Sequence, residues 1–121
     1  MKFKMRKDHK DMFIDALNSG DYEQVQGEYI EQIEGANGKP CMCAAGVYLA
    51  QLNDLDDLID AREEGMSGID FGDFHRYKEN TTNEDSSDSL INHIIDMNDT
   101  LNMSFESIAD WIEENVEEIS K

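Results

Sequence analysis

Between Lys39 and Asp54 the chain carries no charged side chain, although charge is dense on either side. Within that window Met42, Ala45, Leu49 and Leu52 recur at helical spacing, and Cys41, Ala44, Val47 and Tyr48 fill the positions between them. Apolar residues around most of the circumference predict a buried central helix over about 41–52, covered on several sides. Gly46 sits inside it at a cost of about 1 kcal/mol relative to Ala. Such a loss points to a neighbouring backbone that needs the space.

The flanking segments read as amphipathic or turn-forming. Met12, Phe13, Ala16 and Leu17 predict a helix over 7–18 that stops at Asn18-Ser19-Gly20, where glycine suits a left-handed cap. Residues 25–42 predict a small β-hairpin, because Val25, Gly27, Tyr29, Glu31 and Ile33 alternate with mostly polar neighbours and an Asn37-Gly38 turn follows. Leu55, Leu58 and Ile59 mark a short helix ending at Gly65, and Leu90, Ile91, Ile94, Ile95 and Met97 mark another. Beside Ile69, the aromatics Phe71, Phe74 and Tyr77 are placed to cap the core, and the polar run over about 78–88 predicts a mobile loop. Ser104 is placed to cap a last helix whose inner face is Phe105, Ile108, Ala109, Ile112, Val116 and Ile119. The sum is an α+β, mostly α fold: four to five helices around the central one, with one hairpin.

A chain of 121 residues suits one domain with one core. Its charge is uneven. Acids number 28 and bases 10, a net charge of −18. Five bases against Asp8 make residues 1–10 basic, which predicts an N-terminal arm ahead of an acidic domain over 11–121. That acidity repels nucleic acid and anionic membrane and attracts basic partners. On the last helix Glu106, Asp110, Glu113, Glu114, Glu117 and Glu118 would form an outer row about 18 Å long, close to one charge per 3 Å, against 3.4 Å per phosphate along a DNA strand. Asp54, Asp57, Asp60 and Glu64 offer a second row, so mimicry of a nucleic-acid backbone is one expectation.

Cys41 and Cys43 are the only cysteines. Two residues apart, they suit reduced thiols in a cytoplasmic protein better than a disulfide. Neither a signal-peptide core nor an apolar run of about 20 residues occurs. At the start of the central helix, Cys43 would gain thiolate character, with Gln24 as oxyanion donor, His93 as base and Asp99 or Asn98 as orienter of a small thiol hydrolase. Asp96, Asn98, Thr100, Asn102 and Ser104 alternate as in a calcium loop, but Leu101 and Ser107 stand where glycine and a bidentate Glu are needed. Cys41 and Cys43 without a second pair do not make a zinc site. No phosphate-binding loop or nucleotide fingerprint is present, so neither metal nor cofactor is expected.

Taken together, Ala16-Leu17 with Ser19-Gly20, Tyr22, Gln24-x-x-Gly27, Cys43-Ala-Ala-Gly-Val47 and Asn98-Asp99 leading to Ser104-Phe105 and Ile108-Ala-Asp110-Trp-Ile-Glu-Glu114 resemble a widespread group of uncharacterised phage and prophage proteins. That family typically shows Leu at the position of Ala45 and often Gly at that of Asn102. The resemblance implies a phage origin and a helical domain with a small hairpin, and assigns no catalytic residue. The expectation is a non-enzymatic acidic protein that binds a basic surface on a host protein, with the thiol hydrolase and a small-ligand-sequestering protein as alternatives.

Overall fold

The computed structural model describes residues 3–65, 68–69 and 90–119. The expected loop over 78–88 and the aromatics Phe71, Phe74 and Tyr77 lie outside them. At the centre is α2, Ala44–Leu52, in which Ala44 to Leu49 are all buried. It is short because Asn53 leaves the helical region and its side-chain amide bonds back to the Leu49 carbonyl. Around it pack α1 (Lys7–Asn18), α3 (Leu55–Glu63) and α4 (Leu90–Asp99). A fifth helix, α5 (Phe105–Asn115), closes the core against α1 and α4. These five helices, counted among the described residues, with a few short strands make the α+β, mostly α fold that the periodicity predicts.

The hairpin is shorter than expected and carries a third strand. β3 (Ile30–Gln32) pairs antiparallel with β4 (Cys41–Met42), with a bulge at Glu31. β2 (Glu23–Gln24) lies parallel on the other side of β4. Residues 25–29 form a loop instead of a strand, because Gly27 adopts a positive φ and its N–H turns to the Asp99 carboxylate 3.0 Å away. The Arg62 guanidinium donates to the Ile30 and Glu31 carbonyls at the bulge, both at 3.1 Å, and so ties α3 to the hairpin.

The chain ends differ most from expectation. Phe3–Arg6 is a strand, β1, paired parallel with β5 (Val116–Ile119), with Phe3 opposite Val116 and Lys4 opposite Glu117. Alternation explains it: Phe3 and Met5 are buried and Lys4 is exposed. Lys4, Arg6, Lys7 and Lys10 therefore lie in β1 and α1 of the folded body, where an arm is expected. Lys10, 4% exposed, reaches the end of α5 and donates to the Val116 carbonyl at 2.7 Å. A cation at that position satisfies carbonyls that have no helical partner and suits the negative end of the helix dipole. The last helix accordingly stops at Asn115, four residues before its expected end.

Candidate functional site

The expected carboxylate rows divide among three elements. Asp54, Asp57, Asp60 and Glu64 lie along α3 or at its ends, and Glu106, Asp110, Glu113 and Glu114 lie on α5; all eight are exposed. Glu117 and Glu118 are exposed too, but they stand on β5, where an extended backbone replaces the helical row expected of them. The helical part therefore carries four charges over eight residue steps, about 12 Å, still roughly one charge per 3 Å but over a shorter row. α3 packs on β3 and α2, whereas α5 packs on α1 and α4, so different neighbours hold the two rows.

Several cations that could offset these acids are engaged elsewhere. Lys10 is buried, Arg62 serves backbone carbonyls, Lys7 pairs with Asp11 at 2.9 Å and Arg6 with Asp8 at 2.8 Å. Two acids lie at the outer limit of an ion pair, Glu118 with Lys10 and Glu28 with Arg62, both at 3.9 Å.

The second candidate surrounds Cys43. Gln24, Asn98 and Asp99 do come together there. Asn98 is fully buried and uses its whole amide: Oδ1 accepts from the Ala44 N–H at 3.1 Å and from Gln24 Nε2 at 2.7 Å, while Nδ2 donates to the Val25 carbonyl and to Asp99 Oδ1, both at 2.8 Å. Gln24 Nε2 also donates to the Met103 carbonyl at 2.6 Å. The Cys43 N–H bonds to the Glu28 carbonyl at 3.2 Å. This network joins the 24–29 loop, the first turn of α2 and the α4–α5 connection. The Gln24 side-chain N–H groups expected to face an oxyanion are taken up within it.

Cys43 is the N-cap residue of α2 and 2% exposed. Burial pushes its thiol up to about 11, although the Gly46 and Ala45 amides at the helix start pull the other way. The thiolate character expected from the helix N-terminus is therefore outweighed by desolvation. His93, the expected base, stacks on Trp111 with ring centroids 4.8 Å apart and lies 5.4 Å from the Phe3 ring. Burial of a neutral thiol has a sign that can be checked. The folded value lies above the ordinary 9.0, so the stabilising contribution is complete below about 9 and is lost as pH rises toward 11. Denaturation of the wild type should show stability falling by about 2–3 kcal/mol across that window, and Cys43→Ala should flatten the slope.

Beside this network lies a pocket of about 110 Å³ lined by Gly27, Glu28, Tyr29, Cys43, Ile95 and Asp99. The sequence pattern gives Tyr29 and Ile95 a place in secondary structure but gives Glu28, Tyr29 and Ile95 no functional role. The available signal was the Gly27 next to them, which allows the loop to turn over the start of α2.

The calcium-like alternation does not form a loop: Asp96, Asn98 and Asp99 are within α4, and the Asp96 carbonyl accepts from the Thr100 and Leu101 amides. Among the described residues no three His, Cys, Asp or Glu side chains are grouped to hold a metal ion. Nor is any helix among them long and apolar enough to cross a membrane. Comparison of the chain with protein-family models, with curated proteins and with solved structures gives no match.

Proposed function

We propose that this chain is a non-enzymatic, acidic, phage-type protein that binds a basic surface on a host protein through its exposed carboxylates. The observation that carries this is the imbalance at the surface. Ten named acids on α3, α5 and β5 are exposed, while Lys10 is buried and Arg6, Lys7 and Arg62 are engaged within the fold. A field of one sign speeds encounter with an oppositely charged surface and selects against like-charged ones. The α5 row, at roughly one charge per 3 Å, approaches the phosphate spacing of a nucleic-acid strand, which favours a partner whose basic surface normally binds nucleic acid. The resemblance to phage proteins points to a host protein as that partner.

The test is charge reversal at four exposed acidic positions of α5 and β5. The variant Glu106→Lys, Asp110→Lys, Glu113→Lys, Glu117→Lys should keep the circular dichroism of the wild type and lose the partner that the wild type retains from host lysate. Added duplex DNA should displace that partner from the wild type. Retention of the same partner by the reversed variant would overturn the proposal.

A further inference from the structure

The pocket under the 25–29 loop is independent of the carboxylate rows, and its lining is selective. Its volume of about 110 Å³ is well below the 300–1,000 Å³ typical of sites for drug-sized ligands and cofactors. It admits a group the size of a short side chain. Ile95, the Tyr29 ring and the Cys43 thiol provide an apolar wall, with Tyr29 and Ile95 half-buried and Cys43 almost fully so.

The polar part is acidic. Asp99 is half-buried, and its two side-chain hydrogen bonds among the described residues, from the Gly27 N–H and from Asn98 Nδ2, fall on Oδ1. Oδ2 has no partner among the described residues. Glu28 contributes a second carboxylate at the exposed edge, 3.9 Å from Arg62. Because Asn98 and Gly27 hold Asp99 in place, its position is set before any ligand arrives, which reduces the ordering cost of binding. An anion would meet two carboxylates, and a neutral apolar group would leave Oδ2 without a counter-charge. A compact cation on a short aliphatic stem satisfies both walls at once.

We infer that this pocket binds an alkylammonium group, its methylenes against Ile95 and Tyr29 and its charged nitrogen at Asp99 Oδ2. Two sources share that chemistry, a free small amine and the lysine side chain of a bound protein. The assignment does not depend on the carboxylate rows, and its test needs no macromolecular partner.

The experiment is a titration of the full chain, followed by amide chemical shifts in a two-dimensional nitrogen–proton spectrum at constant ionic strength. n-Butylammonium chloride should give saturable shifts at the amides of Gly27, Tyr29, Cys43 and Asp99. n-Butanol, the neutral analogue of similar size, should bind about tenfold more weakly or worse, as expected when one charge-assisted hydrogen bond is lost. Asp99→Asn keeps an oxygen to accept from Gly27 and Asn98, and should weaken n-butylammonium to the level of n-butanol. A lysine-containing tripeptide with blocked ends separates the sources. Binding as tight as that of n-butylammonium assigns the pocket to a partner's lysine, and exclusion of the peptide assigns it to a free amine. Equal binding of n-butanol to the wild type would overturn the inference without reliance on any variant. So would unsaturable shifts spread along α3 and α5, which would mark general attraction to a negative surface.

Discussion

Gly46→Ala should destabilise the protein by about 3 kcal/mol or more, lowering the melting temperature by roughly 10 °C or more. On helix propensity alone the same change should stabilise, because alanine is favoured over glycine in a helix by about 1 kcal/mol. Packing decides the sign. A Cβ on Gly46 would fall 1.8 Å from the Tyr29 carbonyl oxygen and 2.8 Å from its carbonyl carbon. Those are backbone atoms, and the loop carrying them is fastened to Cys43 through the Glu28 carbonyl and to Asp99 through Gly27. The loop must move, and both bonds are lost with it. Gly65→Ala is the control: Gly65 has a positive φ but nothing among the described residues within 4 Å of its missing Cβ, so the left-handed strain of about 1–2 kcal/mol is the cost expected. Thermal unfolding of the two variants beside the wild type checks the order. A Gly46→Ala protein as stable as the wild type would mean that the 25–29 loop does not rest on α2.

Asn98→Asp should cost roughly 3–5 kcal/mol at neutral pH, although the two side chains have nearly the same shape. Asn98 donates from Nδ2 to the Val25 carbonyl and to Asp99 Oδ1. A carboxylate there presents an oxygen to both acceptors, one of them already an anion, at a position with no exposure to water. Two donors are lost, and two oxygens are left facing a third in a buried site. A protonated carboxyl group recovers one donor, so the deficit should narrow as pH falls. Chemical denaturation at pH near 7 and near 4 measures both the loss and its direction. Equal stability of the two proteins at neutral pH would show that the Asn98 network does not hold the three segments together.

Much of this architecture is legible in the sequence where one local pattern dominates. The central helix is visible because charge disappears for fourteen residues in a chain otherwise rich in acids, and the Gly46 constraint follows from the cost of glycine in that setting. Ser104 was readable as a cap, and its hydroxyl accepts from the Ser107 N–H. Asn102 stands at a positive φ of 54°, a conformation that asparagine adopts more readily than most side chains. The β1–β5 pair was not legible. Phe3-Lys4-Met5-Arg6 alternates over only four residues, and its partner lies more than a hundred residues away, so no local signal joins them. Val116 and Ile119 fit a helical stripe as well as a strand, and what ends α5 is a lysine from the opposite end of the chain.

The site was partly legible. Gln24, Cys43, Asn98 and Asp99 carry the residue types that catalysis uses, and the fold does gather them. Spacing could not show that the amides of Gln24 and Asn98 would be used up in holding the backbone together. Helix geometry alone separates His93 from the others: five residues on one helix turn through about 140°, which sets His93 on a different face from Asn98. The pocket was not foreseeable, because it forms between a loop, a helix start and a helix end, and only the folded chain brings Tyr29, Cys43 and Ile95 together.

The salt dependence of partner binding tests most directly whether exposed carboxylates carry this protein's function. With the partner retained from host lysate purified, its affinity for the wild type should fall steeply between about 50 mM and about 500 mM salt, where screening shortens to a few ångström. Reversal of Glu106, Asp110, Glu113 and Glu117 to lysine should remove both the binding and its slope. An affinity that stays level across that range, or that survives the reversal, would contradict the account.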